Sequence, residues 1–333
     1  MRSSFSPLIN YFILLNNCLE RVMLKNTIVV TLLLILSSIL GFIAQIVFVS
    51  KFGASVEMDI YFTLLSIPTV ITGIIPVIFS SVLIPTFAGF KSSKTELDKF
   101  INSVWKFIFI LAVSFTLIGY FITYINMDLF LPKNGVHYKN IGIQVSLMIW
   151  IGSGFSFMSS YLAAILNYNK QFFKVAWTSL LPAFFMIIIV LLFHENLGIF
   201  SISLGLCIAF TLQFIIFLKA SKISLFFFSF NIKEIPYKKL LLKQSSLVIL
   251  SLLPFTILVP IAYYWASGLE KGSVSYLGYS QSFAGFLSVA VGMGISIVSF
   301  PELAEKFASG KGESSLYAFE KKLKYVLLIA MFA

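Results

Sequence analysis

The chain has 333 residues, 59% of them hydrophobic and 11% charged, with a net charge of +11. Soluble globular domains carry roughly a quarter charged residues, so these proportions exclude a water-soluble fold and point to a polytopic membrane protein. In a soluble chain the positive balance would suggest nucleic acid. Here it fits the basic loops of a membrane protein, and no nucleic-acid partner is expected.

The first 22 residues hold one short apolar patch, Leu8–Leu15. No small-residue cleavage site follows it, as a signal peptide would need. Residues 1–22 therefore read as an upstream extension, spurious in origin, with the fold starting at Met23-Leu24-Lys25-Asn26. Runs of roughly 20 apolar residues cross the hydrocarbon layer. By that measure spans fall at about 27–49, 60–89, 104–125, 141–166, 175–193, 199–218, 244–264 and 276–299. Another begins near residue 323 and stops at Ala333, so the chain is expected to be incomplete at its C-terminal end.

The second span carries Pro68, Pro76 and Pro85. Each proline removes a backbone donor, which neighbouring helices in a membrane bundle can offset. A helix broken in this way beside the polar turn at Lys51–Asp59 is expected to bend around a cavity.

Loop charges set the orientation. Of the 24 Lys and Arg, only Lys51, Lys133, Lys139 and Lys271 fall on one side of the alternating loops. All the others fall on the side of the N-terminus, which is therefore expected to be cytoplasmic. Lys219–Lys243 forms a basic linker, read as an ordinary cytoplasmic connection able to draw anionic lipid. Leu24-Lys25-Asn26 is echoed by Leu242-Lys243-Gln244, and Ser81–Pro85 with Ala88 by Ile297–Pro301 with Ala304. This faint repeat suggests two related bundles, an arrangement that places a site between them.

Enzymatic patterns are missing. His137 and His194 are the only histidines, and Cys18 and Cys207 the only cysteines. None sits in metal-ligand spacing, and no phosphate-binding glycine loop or nucleophile elbow occurs. Glu57 and Asp59 are the carboxylates available to a membrane-interface enzyme, a weaker reading than transport. No cofactor or metal is expected. Inside the spans the sequence is almost free of charge, although intramembrane ionisable groups commonly mark transport pathways. Polar content there comes from residues such as Gln45, Ser37, Ser38, Thr72, Gln144, Asn167, Gln213 and Gln281. These serve either as glue between helices or as the lining of a cavity for sugar hydroxyls. Gly152-x-Gly154 and Gly292-x-Gly294 permit close helix approach.

Gly41-Phe42, Phe52-Gly53-Ala54, Asp59 and Ile67-Pro68 resemble the opening of MviN/MurJ-type proteins, lipid-linked sugar flippases of the MOP superfamily. Ala164-Ile165-Leu166-Asn167 with Phe172 agrees, as does Gly272-Ser273-Val274-Ser275 leading to Phe307-Ala308-Ser309-Gly310. The resemblance runs from about Met23 to the last residue. It implies an all-α membrane bundle with two six-helix lobes, the first lobe and the start of the second being present. The divisions are then an extension at 1–22, an N-lobe at 23–219, the basic linker at 220–243 and the start of a C-lobe at 244–333. It also implies that Asp59 is the acidic residue at the start of helix 2, a candidate for a gate closing one side of a cavity. MurJ-type lipid II flippases carry arginines where this chain has Ala44-Gln45, Thr72-Gly73 and Ser282, and its only arginines are Arg2 and Arg21. Arginine grips a diphosphate through a bidentate fork, so lipid II is the doubtful substrate within this reading.

The expectation is a flippase moving a lipid-linked oligosaccharide, polysaccharide or peptidoglycan precursor from the inner to the outer leaflet by alternating access. Asp59, Lys51, Gln45, Gln144, Gln281 and Lys243 are the candidate binding or gating residues. The polyprenyl-linked saccharide is the expected partner, and the protein is read as a monomer in the cytoplasmic membrane. The rivals are a MATE-type drug or cation antiporter, which needs a buried acid at mid-depth, and a non-transporting scaffold.

Overall fold

The computed structural model describes residues 6–90, 94–130, 135–223 and 238–286. Helix α1 covers Ser6–Phe52, α2 Val56–Ile78, and a π-helical turn Phe79–Leu83 leads into α3, Ile84–Gly89. Then come α4 (Lys94–Ile125), α5 (Met127–Phe130), α6 (Gly135–Tyr168) and α7 (Phe172–Thr178). The series continues with α8 (Leu181–Leu197), α9 (Phe200–Ser221) and α10 (Lys238–Ala266). Residues 273–286 form α11. The described residues hold seven helical segments long and apolar enough to cross a membrane. They run Ile28–Phe52, Val56–Phe87, Thr95–Ile125, Tyr138–Tyr168, Phe172–Leu197, Phe200–Ser221 and Lys243–Ala266. They coincide with the first seven sequence-derived spans, and α11 begins where the eighth was placed. The end of that span, residues 224–237 of the basic linker, Ile297–Ala304 and the stretch from 323 lie outside the described residues. So do the glycines Gly292 and Gly294.

Contacts divide the chain into two units, Leu40–Phe283 and a second made of Met1–Ile39 with Ala284–Ala333. Within Leu40–Phe283, α6 is the central helix, packing against α9, α4 and α2, while α8 packs on α9 and α10 on α2. Small residues make this possible. A Cβ on Gly152 would lie 3.2 Å from the Cys207 Cα of α9, and one on Gly154 would collide with the Thr116 Oγ1 of α4. Gly205 of α9 similarly meets the backbone of Met186 on α8, where a Cβ would lie at 2.8 Å. Without a hydrophobic drive in lipid, such close approach and its dispersion energy hold helices together.

Two apolar cores result. One gathers Phe48, Met58, Ile60 and Leu64 with Val145, Ile149, Val190 and Ile202. The other gathers Ile74, Phe79, Phe87, Trp105, Tyr161 and Phe217. In the second, Trp105 of α4 stacks on Tyr161 of α6 and Phe214 of α9, with centroids 6.0 and 6.2 Å apart. Along both α2 and α6 the two cores are separated by a polar interval near mid-span, and the cavity lies there.

The prolines of the second span act unequally. Pro68 and Pro76 stay within α2, and the break comes as the π turn before Pro85. Pro85 withholds the N–H that would meet the Ser81 carbonyl, so the helix widens there into a π turn. Ser80 and Ser81 both donate their hydroxyls to the Val77 carbonyl, at 3.1 and 2.6 Å.

Candidate functional site

At the start of α2, Ser55 caps the helix, its Oγ accepting the Met58 N–H at 3.2 Å. This sets the first turn so that Asp59 faces inward, only 5% exposed. Its Oδ2 accepts the Gly272 N–H at 2.7 Å, and its Oδ1 accepts the Ser275 N–H at 2.7 Å and the Ser275 hydroxyl at 2.5 Å. The carboxylate thus caps α11 from another helix, at the end where unpaired N–H groups and the helix dipole favour negative charge. Among the described residues Asp59 is the buried acidic side chain.

The surrounding contact is tight. Tyr279 donates its hydroxyl to the Gly53 carbonyl at 2.8 Å, and its ring meets Phe62 edge-on at 5.3 Å. Gly272 has φ +89°, and a Cβ there would sit 2.7 Å from the Ala54 carbonyl oxygen. Only glycine satisfies both that angle and that approach. A Cβ on Gly278 would lie 2.7 Å from the Phe62 ring. The α1–α2 turn is thereby clamped to the α10–α11 turn.

Beyond the clamp lies a cavity of about 400 Å³ whose lining includes Gln45, Tyr61, Thr72, Ser156, Tyr263 and Gln281. Tyr263 donates its hydroxyl to Gln281 Oε1 at 2.8 Å, whereas the buried Gln45 Oε1 has no hydrogen-bond partner. Among the described residues no Asp, Glu, Lys or Arg lines it.

The structure brings Gln45 and Gln281 together in the cavity wall and Asp59 into the clamp beside it. Lys51 and Lys243 are exposed and do not line the cavity, and Gln144 is exposed on α6. Asp59 is partnered by Gly272 and Ser275, not by its sequence neighbour Lys51. Gln213, the other glutamine of the spans, links α9 to Thr178 at 3.4 Å. Tyr263, Gly272 and Ser275 were not expected as site residues from sequence, although Gly272-Ser273-Val274-Ser275 stands out as a motif. The neutral residues Gln45, Thr72 and Ser282, at places where the resemblance implies arginine, all line the cavity.

Residues 48–333 match the protein family described as lipid II flippase MurJ. The chain belongs to the MurJ family. Among MurJ relatives, it is 26% identical over 291 residues to a probable lipid II flippase MurJ of Buchnera aphidicola subsp. Baizongia pistaciae, covering 85% of this chain and 56% of the relative. It is 26% identical over 322 residues to the probable lipid II flippase MurJ of Borreliella burgdorferi, covering 91% and 60%. The lipid II flippase MurJ of Thermosipho africanus is 27% identical over 187 residues, covering 55% and 38%. A solved structure titled lipid II flippase MurJ, inward closed conformation, superposes with a TM-score of 0.68 at 26% identity, over 84% of this chain and 58% of that one. The chain thus spans less than two thirds of the length of these MurJ proteins.

Proposed function

We propose that this MurJ-family chain carries the cavity wall and one gate of a flippase for a polyprenyl-linked saccharide. The headgroup crosses in the cavity while the lipid tail stays in the bilayer. The observation that supports this most strongly is the polar, uncharged cavity at mid-span, closed beside its wall by the Asp59 clamp. The clamp joins helices on either side of the basic linker, α2 in the N-lobe 23–219 and α11 in the segment from 244 onward. It suits a closure that forms and breaks as access alternates.

The loop charges support a cytoplasmic N-terminus in the inner membrane, which puts the clamp on the outer side. The cavity then fills from the cytoplasmic leaflet while the clamp is shut. An antiporter would use a buried acid to exchange protons or sodium. The buried acid here is instead saturated by three donors at a helix end, which favours a structural gate. The test is translocation of a fluorescent polyprenyl-linked saccharide in vesicles containing the purified chain. Saturable movement above protein-free vesicles supports the reading, and none would leave the scaffold alternative.

A further inference from the structure

Within the flippase reading, on which this inference rests, the cavity carries a chemical preference of its own. The hydrogen bonds already made in its wall decide what kind of headgroup it suits. Three hydroxyls of α2 in the lining have committed their protons to backbone carbonyls. Ser66 donates to Thr63 at 2.7 Å, Thr69 to Ser66 at 2.7 Å and Thr72 to Pro68 at 3.2 Å. Ser282, also in the lining, donates to the Gly278 carbonyl at 2.9 Å. Each is left with lone pairs to offer. Gln45 adds a buried carbonyl oxygen with no donor. Gln281 has its oxygen held by Tyr263, which leaves its NH₂ end to donate.

The wall is therefore rich in acceptors, and the donors it offers are neutral: the NH₂ groups of Gln45 and Gln281 and the hydroxyls of Ser153 and Ser156. Ionised phosphate or carboxylate groups bring acceptors only. They would leave Gln45 Oε1 unmet and face oxygen with oxygen. No cation offsets them among the described lining residues. Between Lys25 and Lys91 the only basic residue is Lys51, and between Lys243 and Lys306 it is Lys271. Both are exposed, outside the cavity lining. A neutral saccharide brings hydroxyl or amide N–H donors all round its ring. Its apolar face suits the rings of Phe48, Tyr61, Phe62 and Phe210 in the same wall.

We infer that this cavity selects an uncharged, hydroxyl-rich sugar unit, with Gln45 and Gln281 as specificity-determining residues, while the carrier's phosphates stay outside it.

The test is binding to the purified chain in nanodiscs, followed by native mass spectrometry or a fluorescence titration. Three probes are needed: a polyprenyl diphosphate bearing a neutral disaccharide, the same lipid ending in a uronate, and the bare carrier. The neutral form is expected to bind at least about 10-fold more tightly than the other two, the range that one or more neutral hydrogen bonds command. Gln45→Leu is expected to cost about 2- to 10-fold for the neutral probe and nothing for the bare carrier. Gln144→Leu, outside the cavity, serves as the folding control and leaves all three unchanged. Equal binding of bare and sugar-bearing carriers, tighter binding of the uronate, or an unchanged preference in Gln45→Leu would overturn the inference. Flipping of all three lipids at one rate would overturn it too, while leaving the flippase reading intact. Selective binding without flipping would instead remove the flippase reading and leave the selectivity.

Discussion

Asp59 accepts both the backbone N–H and the side-chain hydroxyl of Ser275, at 2.7 and 2.5 Å, so one carboxylate ties the first turn of α2 to the first turn of α11. Ser275 is fully buried, and its hydroxyl also lies 3.3 Å from the Ser55 carbonyl. Opening this contact exposes a carboxylate and two backbone N–H groups together. That cost is what would separate an open from a closed state of the proposed gate.

Asp59→Asn replaces one accepting oxygen by an NH₂ group that faces an N–H donor. A hydrogen bond to a charged group contributes about 1.5–3 kcal/mol, so the clamped state is expected to lose about 10- to 100-fold in population. Vesicle translocation should fall accordingly. Glu57→Gln, two residues away on the half-buried side of the turn, should stay near wild type. Equal rates for the two variants would remove Asp59 from the gate.

Gly272→Ala forces a side chain into a φ of +89° and against the Ala54 carbonyl. Strain of this kind costs about 1–3 kcal/mol, so thermal unfolding in detergent should shift downward. Gly41→Ala, where a Cβ meets nothing within 4 Å, is the comparison. It should be neutral or slightly stabilising, because alanine is the better helix former by about 0.5–1 kcal/mol.

The orientation can be read directly. Lys99 and Asp128 are both exposed at opposite ends of the segment Thr95–Ile125 and the turn after it. Single cysteines at these positions, on a background with Cys18 and Cys207 replaced, should react from the cytoplasmic and outer faces respectively. Labelling of both from one face would overturn the topology.

Much of the fold was readable before the structure because the hydrocarbon layer imposes one length on every span. The same uniformity hid the site. A glutamine within an apolar helix carries no sign of which way it faces: Gln45 and Gln281 line the cavity, Gln144 is exposed, and Gln213 binds α9 to α7. Asp59 was visible as an isolated acid at a helix start. Its partners were not, because backbone N–H groups more than 200 positions away leave only a Gly and a Ser in the sequence. Lys51 and Lys243 attracted attention as charges near the spans, yet solvation keeps both exposed. The three prolines signalled a break in the second span. Its placement before Pro85 followed from which carbonyl lost its donor.

The lack of Lys and Arg among the described lining residues of the cavity bears on lipid II. A diphosphate without fixed cations is costly to bury. In cells depleted of their resident lipid II flippase, a protein carrying this chain extended to the full length of its MurJ relatives is therefore expected not to sustain growth at native expression. Sustained growth with normal wall synthesis would contradict that expectation.

The central claim is a cavity whose access from one face is controlled by the Asp59 clamp. Thr69 lines that cavity and is accessible within it. The most direct measurement is the reactivity of a Thr69→Cys variant, lacking Cys18 and Cys207, toward a membrane-impermeant thiol reagent added from either face of oriented vesicles. With the clamp intact, the cysteine is expected to react from the cytoplasmic face and to be shielded from the outer one. Adding Asp59→Asn should raise the outer-face rate by about 10-fold or more, in line with the loss of one charged hydrogen bond. Equal reactivity from both faces, unchanged by Asp59→Asn, would contradict the account.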